Sequence, residues 1–136
     1  MNYYLAKSEP GAYSIDDLQR DQNTLWDGVT NAQAVLAILA MQAGDKVFVY
    51  HSGGVSSIVG LAVVKTPGRP DPKNPKSAVA EFAFSAKLDP PTTLADVKTS
   101  KLFEDFALVR QSRLSTMAVP ASFVAWMRKR YPKAGI

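Results

Sequence analysis

Cysteine is missing from this sequence and histidine occurs once, at position 51. Without thiolates there is no disulfide framework, no Cys-based zinc site and no cysteine nucleophile, and one imidazole cannot build a multi-histidine metal centre. Only a carboxylate-and-water site for a hard cation stays open, and neither metal nor cofactor is expected. No apolar run approaches the roughly 20 residues of a membrane span, and MNYYLAKSEP has no basic stretch followed by an apolar one. The expectation is a soluble, cytoplasmic protein with no membrane partner. The phosphate-cradling G-x-x-x-x-G-K-[ST], the dinucleotide G-x-G-x-x-G and the nucleophile-elbow G-x-S-x-G are all missing too. YHSGG resembles a hydrolase loop only loosely: Ser52 would need a base, and its strand neighbour His51 points to the opposite face. No enzyme is expected.

What is present fits one globular domain spanning residues 1–136, since a chain of this length that is 46% hydrophobic can bury a single core but hardly two. The net charge of +4 is unevenly distributed. Residues 1–100 carry nine Lys and Arg against ten Asp and Glu, whereas residues 101–136 carry seven against two. The segment with Arg110, Arg113, Arg128, Lys129, Arg130 and Lys133 is a seat for a polyanion such as nucleic acid, or a solvated helix end whose cations suit the helix dipole.

Residues 2–7 read as a strand closed by Pro10 and Gly11. Ser14, with Asp17 three residues on, has capping-box spacing and opens a short helix, with Tyr13 placed to staple onto Leu18. From Thr30 to about Gln42, Ala34, Val35, Ile38, Leu39 and Met41 recur at helical spacing, with Asp27 as a cap and Gly44 as the stop. Residues 46–52 and 57–65 form a hairpin about Gly53 and Gly54, and residues 77–88 alternate as a third strand. Between these strands lies TPGRPDPKNPKS, whose prolines at 67, 70, 72 and 75 predict an irregular, mobile surface connection. Residues 93–97, capped by Thr92 or Thr93 with Asp96, and residues 100–106 read as short helices. Pro120 opens a last helix through Arg130, apolar at Phe123, Val124, Trp126 and Met127. Strands interleaved with short helices point to an α+β domain built on a small curled sheet or barrel.

KSEP (7–10), YSIDDL (13–18), WDGV (26–29), Asn31, QA (33–34), GD (44–45), YHS (50–52), IVG (58–60), PDP (70–72) and RQ-x-RLS (110–115) follow one another over nearly the whole chain. Singly these motifs are weak; as an ordered set they are specific. The set resembles the EVE domain family of the PUA-like superfamily, which is related to the YTH modified-RNA readers. The resemblance implies a PUA-like small β-barrel or curled mixed sheet flanked by short helices, and a noncatalytic module that recognises a modified nucleobase in DNA or RNA. Nucleic acid is the partner it implies. The alternative is a protein-interaction or small-molecule sensor domain that no longer binds nucleic acid.

A base offers two π-faces and a hydrogen-bonding edge, so its pocket needs an aromatic plate and a few polar groups. Trp26 supplies the plate, Lys7, Ser8, Asn31, His51, Ser52 and Ser115 the polar groups, and Leu114 an apolar wall. Arg110 and Arg113 would hold phosphates. Each has a plainer reading: a core tryptophan, a structural histidine, a capping asparagine, a surface ion pair between Lys7 and Glu9. The chain departs from the family pattern R-N-Y-Q-A-R-N after WDGV, with Thr30, Ala32, Val35 and Leu36 replacing Arg, Tyr, Arg and Asn. Loss of two cations there should weaken backbone binding or shift it toward Arg110 and Arg113. Phe82, Phe84 and Tyr50 are candidates for a second pocket aromatic.

Overall fold

The computed structural model describes all 136 residues. Its elements in chain order are β1 (Tyr3–Ser8), α1 (Ile15–Asp21), β2 (Asn23–Trp26), α2 (Ala32–Ala40), β3 (Lys46–His51), β4 (Ser57–Asp71), β5 (Asn74–Thr93), α3 (Leu94–Ser100), α4 (Ala107–Arg110), β6 (Thr116–Ala118) and α5 (Ala121–Arg130). Six strands form one mixed sheet in the order β2-β5-β4-β3-β1-β6. Only β1 and β3 are parallel. The sheet is curled rather than closed: β2 and β6 are its two edges, and α2 packs against β4, β5 and β6, filling the gap between the ends. No helix is long and apolar enough to cross a membrane.

The central strands are buried along their length. Val47, Phe48, Val49 and Tyr50 are all covered, as expected for a strand with packing on both faces. Phe123 of α5 lies edge-on to Phe48, 6.1 Å between ring centres, and also meets Phe103 and Phe106, which seals the 102–106 segment onto the sheet. Both capping boxes form: the Asp17 and Asp96 amides donate to Ser14 and Thr93, and the two carboxylates accept the return bonds.

Several elements differ from the sequence reading. Residues 66–77 are not an irregular connection; β4 and β5 continue as a long bulged hairpin to a turn at Pro72 and Lys73. Prolines are accommodated because β4 loses its β3 partner beyond Val63, so one edge no longer needs donors. Asp71 and Asn74 close the turn by accepting from the Lys73 and Lys76 amides at 2.8 and 3.0 Å. Helix α2 stops at Met41, not Gly44, because Met41 turns extended and its carbonyl accepts from Gly68 N–H at 3.0 Å. Residues 100–106 do not form a helix: the Ser100 hydroxyl donates back to Val97 C=O and Lys101 adopts the left-handed region, which ends α3, and a single turn follows at Ala107–Arg110. Strands β2 and β6, four and three residues long, were not expected.

Gly68 seats α2 on the hairpin. A Cβ at this position would lie 1.6 Å from the Ile38 carbonyl oxygen, so the strand backbone touches the helix backbone directly. We expect Gly68→Ala to cost about 1–3 kcal/mol or more, read as a lower urea midpoint. Gly11→Ala, where a Cβ meets nothing, should stay within about 0.5 kcal/mol of the parent; equal effects at the two sites would show that the helix does not rest on this contact.

Candidate functional site

A cleft of about 610 Å³ opens at the C-terminal end of β1, between that strand and edge strand β2. Its walls come from Lys7, Ser8 and Glu9, from Ala12 and Tyr13, from Thr24 to Asn31, and from Arg113 and Ser115. Six of the ten expected site residues therefore meet here: Lys7, Ser8, Trp26, Asn31, Arg113 and Ser115.

Trp26 is held by its strand. Opposite Ala80 of β5, its ring stacks on Phe82 with centroids 5.0 Å apart and planes 29° from parallel, leaving the residue 8% exposed. One side of the indole thus belongs to the core, while the residue also forms cleft wall. The edge strand adds main-chain groups. Phe84 N–H donates to Gln22 C=O at 2.8 Å, and antiparallel alternation from that pair turns Thr24 and Trp26 toward β5. Leu25 N–H and C=O accordingly face the free edge, where Leu25 lines the cleft.

The chain beyond Trp26 turns at Gly28, whose φ of +76° favours glycine. Val29 C=O accepts from the buried Ser77 hydroxyl at 2.5 Å, tying this wall to β5. Asn31, not Asp27, caps α2: its Oδ1 accepts from the Gln33 and Ala34 amides at 2.9 and 3.1 Å, which leaves its amide N–H₂ for the cleft. Across the cleft, Lys7 pins the 112–115 segment twice. Its main-chain N–H donates to Ser115 C=O at 2.8 Å and its Nζ to Ser112 C=O at 3.0 Å, 5.4 Å from the Tyr50 ring centre. Burial pushes this ammonium below its ordinary value. Lys7 makes no ion pair with Glu9; it and exposed Arg113 share the lining with the carboxylates of Glu9 and Asp27, so the cleft is nearly charge-balanced.

Four expected residues lie outside this lining. His51 Nε2 accepts from Ile15 N–H at 3.0 Å, at the start of α1, which requires the neutral ring. Ser52 N–H donates to Ser8 C=O at 3.0 Å. Leu114 is buried in the core, and Arg110 pairs with Asp105 at 3.2 Å on the surface. Of the suggested second aromatics, Phe82 backs Trp26, Tyr50 lies under Lys7 and Phe84 packs against the core. The second cleft aromatic is Tyr13, its hydroxyl donating to Asp21 at 3.0 Å. Its position just before the Ser14 cap marked it as a staple rather than a wall.

A curled, open mixed sheet plugged by one helix, with an aromatic cleft beside its parallel strand pair, defines an α+β PUA-like domain. Residues 2–130 match the sequence profile of the EVE domain, and the chain belongs to that family. Thymocyte nuclear protein 1 of Rattus norvegicus is 35% identical and that of Homo sapiens 32%, each match covering 77% of this chain and 52% of the relative. The chain spans about half the length of these curated relatives. Among solved structures, a protein from Rhodopseudomonas palustris superposes with TM-score 0.88 at 35% identity, covering 96% of this chain and 92% of that one. Human THYN1 in complex with 5-methylcytosine-containing DNA superposes with TM-score 0.85 at 25% identity, covering 96% and 98%.

Burial holds His51 below its ordinary value of 6.5, against a smaller upward pull from Asp16. The unfolded chain therefore takes up this proton first, so the stability is present above pH about 6.5 and is lost as pH falls through the lower folded value. Asp17 and Asp21 are also held low, by hydrogen bonds first, and act in a more acidic window below 3.8. Between about pH 7.5 and 5.5 the urea midpoint of the parent should fall, and that of His51→Gln should stay flatter. Parallel curves would remove His51 as the source.

Proposed function

We propose that this domain is a noncatalytic reader that accepts a modified cytosine of DNA into the cleft at Trp26. The observation that carries the reading is the pairing of a core-backed indole in the cleft wall with the outward N–H and C=O of its neighbour Leu25. The indole gives a stacking surface worth about 1–3 kcal/mol. A donor and an acceptor side by side match the adjacent acceptor and donor on a cytosine's Watson–Crick edge. An added methyl is worth only about 0.8 kcal/mol, roughly fourfold in affinity, so its recognition depends on fit as well as burial. Extruding a paired base costs a few kcal/mol, which favours single-stranded or mismatched sites.

The binding of 5-methylcytosine DNA by the human relative supports this reading. A binding rather than catalytic role is supported by the engagement of the Ser8 hydroxyl with Tyr13 C=O and by the place of the sole imidazole outside the cleft wall. The balanced charge of the lining favours one second reading, a sensor for a small uncharged ligand.

Fluorescence anisotropy with single-stranded oligonucleotides carrying one 5-methylcytosine or one cytosine separates the two. Trp26→Ala should weaken binding roughly five- to 150-fold and erase the preference for the modified base. Leu25→Pro, which removes a donor outside the strand ladder, should weaken binding while Leu25→Ala does not. A folded parent with no affinity even at about 20 mM salt supports the sensor reading instead.

A further inference from the structure

We propose that the tip of the β4–β5 hairpin is a phosphate-binding arm, in which Arg69, Lys73 and Lys76 grip the nucleic-acid backbone beside the cleft. This inference rests on the nucleic-acid reading above and adds a surface outside the cleft lining. All three side chains are exposed and none pairs with a carboxylate; the ion pairs of the hairpin, Lys65 with Glu81 and Lys87 with Asp16, lie nearer its base. Asp71 is the only acid from residue 66 to residue 80, and its Oδ1 accepts from the Lys73 amide. The tip is therefore a local excess of positive charge, in a part of the chain that is otherwise close to neutral.

Position and stiffness make this charge usable. Arg69 lies opposite Val79 and Trp26 opposite Ala80, so Arg69 sits two strand spacings from the indole's strand, about 10 Å. Ser77, next to Lys76, is bonded to Val29 of the cleft wall. Arg113 enters the cleft from the β1–β6 side and the hairpin stands on the β2–β5 side, so a strand whose base occupies the cleft has cations on both flanks. Four prolines, the two side-chain-closed turns and the contact of Gly68 with α2 hold the arm in place. Arg69 Nη1 is further fixed by the Thr66 hydroxyl at 3.0 Å. Cations ordered in advance lose little entropy when phosphates arrive. Helix α2, by contrast, carries no charged residue.

The test is the salt dependence of binding to a single-stranded 5-methylcytosine oligonucleotide. Three phosphate contacts on a single strand contribute about 2 to the slope of log K against log salt. Arg69→Gln/Lys73→Gln/Lys76→Gln should lower the slope by about that amount, and Lys73→Gln alone by about 0.7. In both variants the ratio of modified to unmodified affinity and the thermal melt should be unchanged. An unaltered slope, with base preference retained, overturns the arm and leaves the cleft reading standing. A parent that binds no oligonucleotide in a salt-dependent way, but binds an acidic peptide that the triple variant releases, overturns both and assigns the hairpin to a protein partner.

Discussion

Two missing side chains on β4 set the geometry of everything around the cleft. At Gly68 the strand backbone meets the backbone of α2 at Ile38; at Gly60, where a Cβ would fall 2.2 Å from the Ile15 methyl, the same strand accepts the first residue of α1. These two helices flank β2 in sequence, one just before it and one just after the Trp26 turn. Backbone-to-backbone and backbone-to-methyl contact leaves no slack, because packed interiors do not deform continuously. The registration of both helices, and with it the place of Asn31, Val29 and the indole, is inherited from one strand.

The cleft divides its work among groups that do not compete. Phe82 takes one side of Trp26, so the ring is oriented before a ligand arrives and little is lost in ordering it. The asparagine oxygen is committed to the helix start and its nitrogen is free, so a single amide serves the fold and the cleft at once. Lys7 is similar: its charge holds the segment bearing Arg113 in place rather than standing free as a phosphate contact. With two cations and two carboxylates in the lining, long-range attraction to a polyanion has to come from outside the cleft, from surface cations such as those of the hairpin tip and the C-terminal segment.

The elements legible in the sequence were those whose signal is local. Ser14 with Asp17 and Thr93 with Asp96 declare helix starts within four residues, and the runs at 46–51 and 57–65 carry enough β-branched and aromatic residues to read as paired strands. Strands β2 and β6 are too short to show a period, and their existence depends on partners far along the chain, Ala83 for Asn23 and Tyr4 for Ala118. The prolines at 67 and 70 argued against a strand because the sequence does not say which edge of β4 is unpaired. The candidate site was legible as an ordered series of motifs, and six of its residues converge. His51 fell elsewhere because nothing local distinguishes an imidazole that faces a ligand from one that accepts the first amide of a helix. Tyr13, Thr24 and the main chain of Leu25 were missed because the relevant fact, an edge strand beside the end of β1, is a property of topology.

The parallel pairing of β1 with β3 has one more implication. Residues 9–45 leave β1 at Ser8 and enter β3 at Lys46, and in that one crossover, which includes edge strand β2, they supply most of the cleft wall. Its helices and strand are fixed by the core, so the part of the wall free to vary is the lip of exposed turn residues, Glu9, Ala12, Asp27 and Thr30. Substitution at that lip alters what the cavity admits and leaves the scaffold beneath it undisturbed.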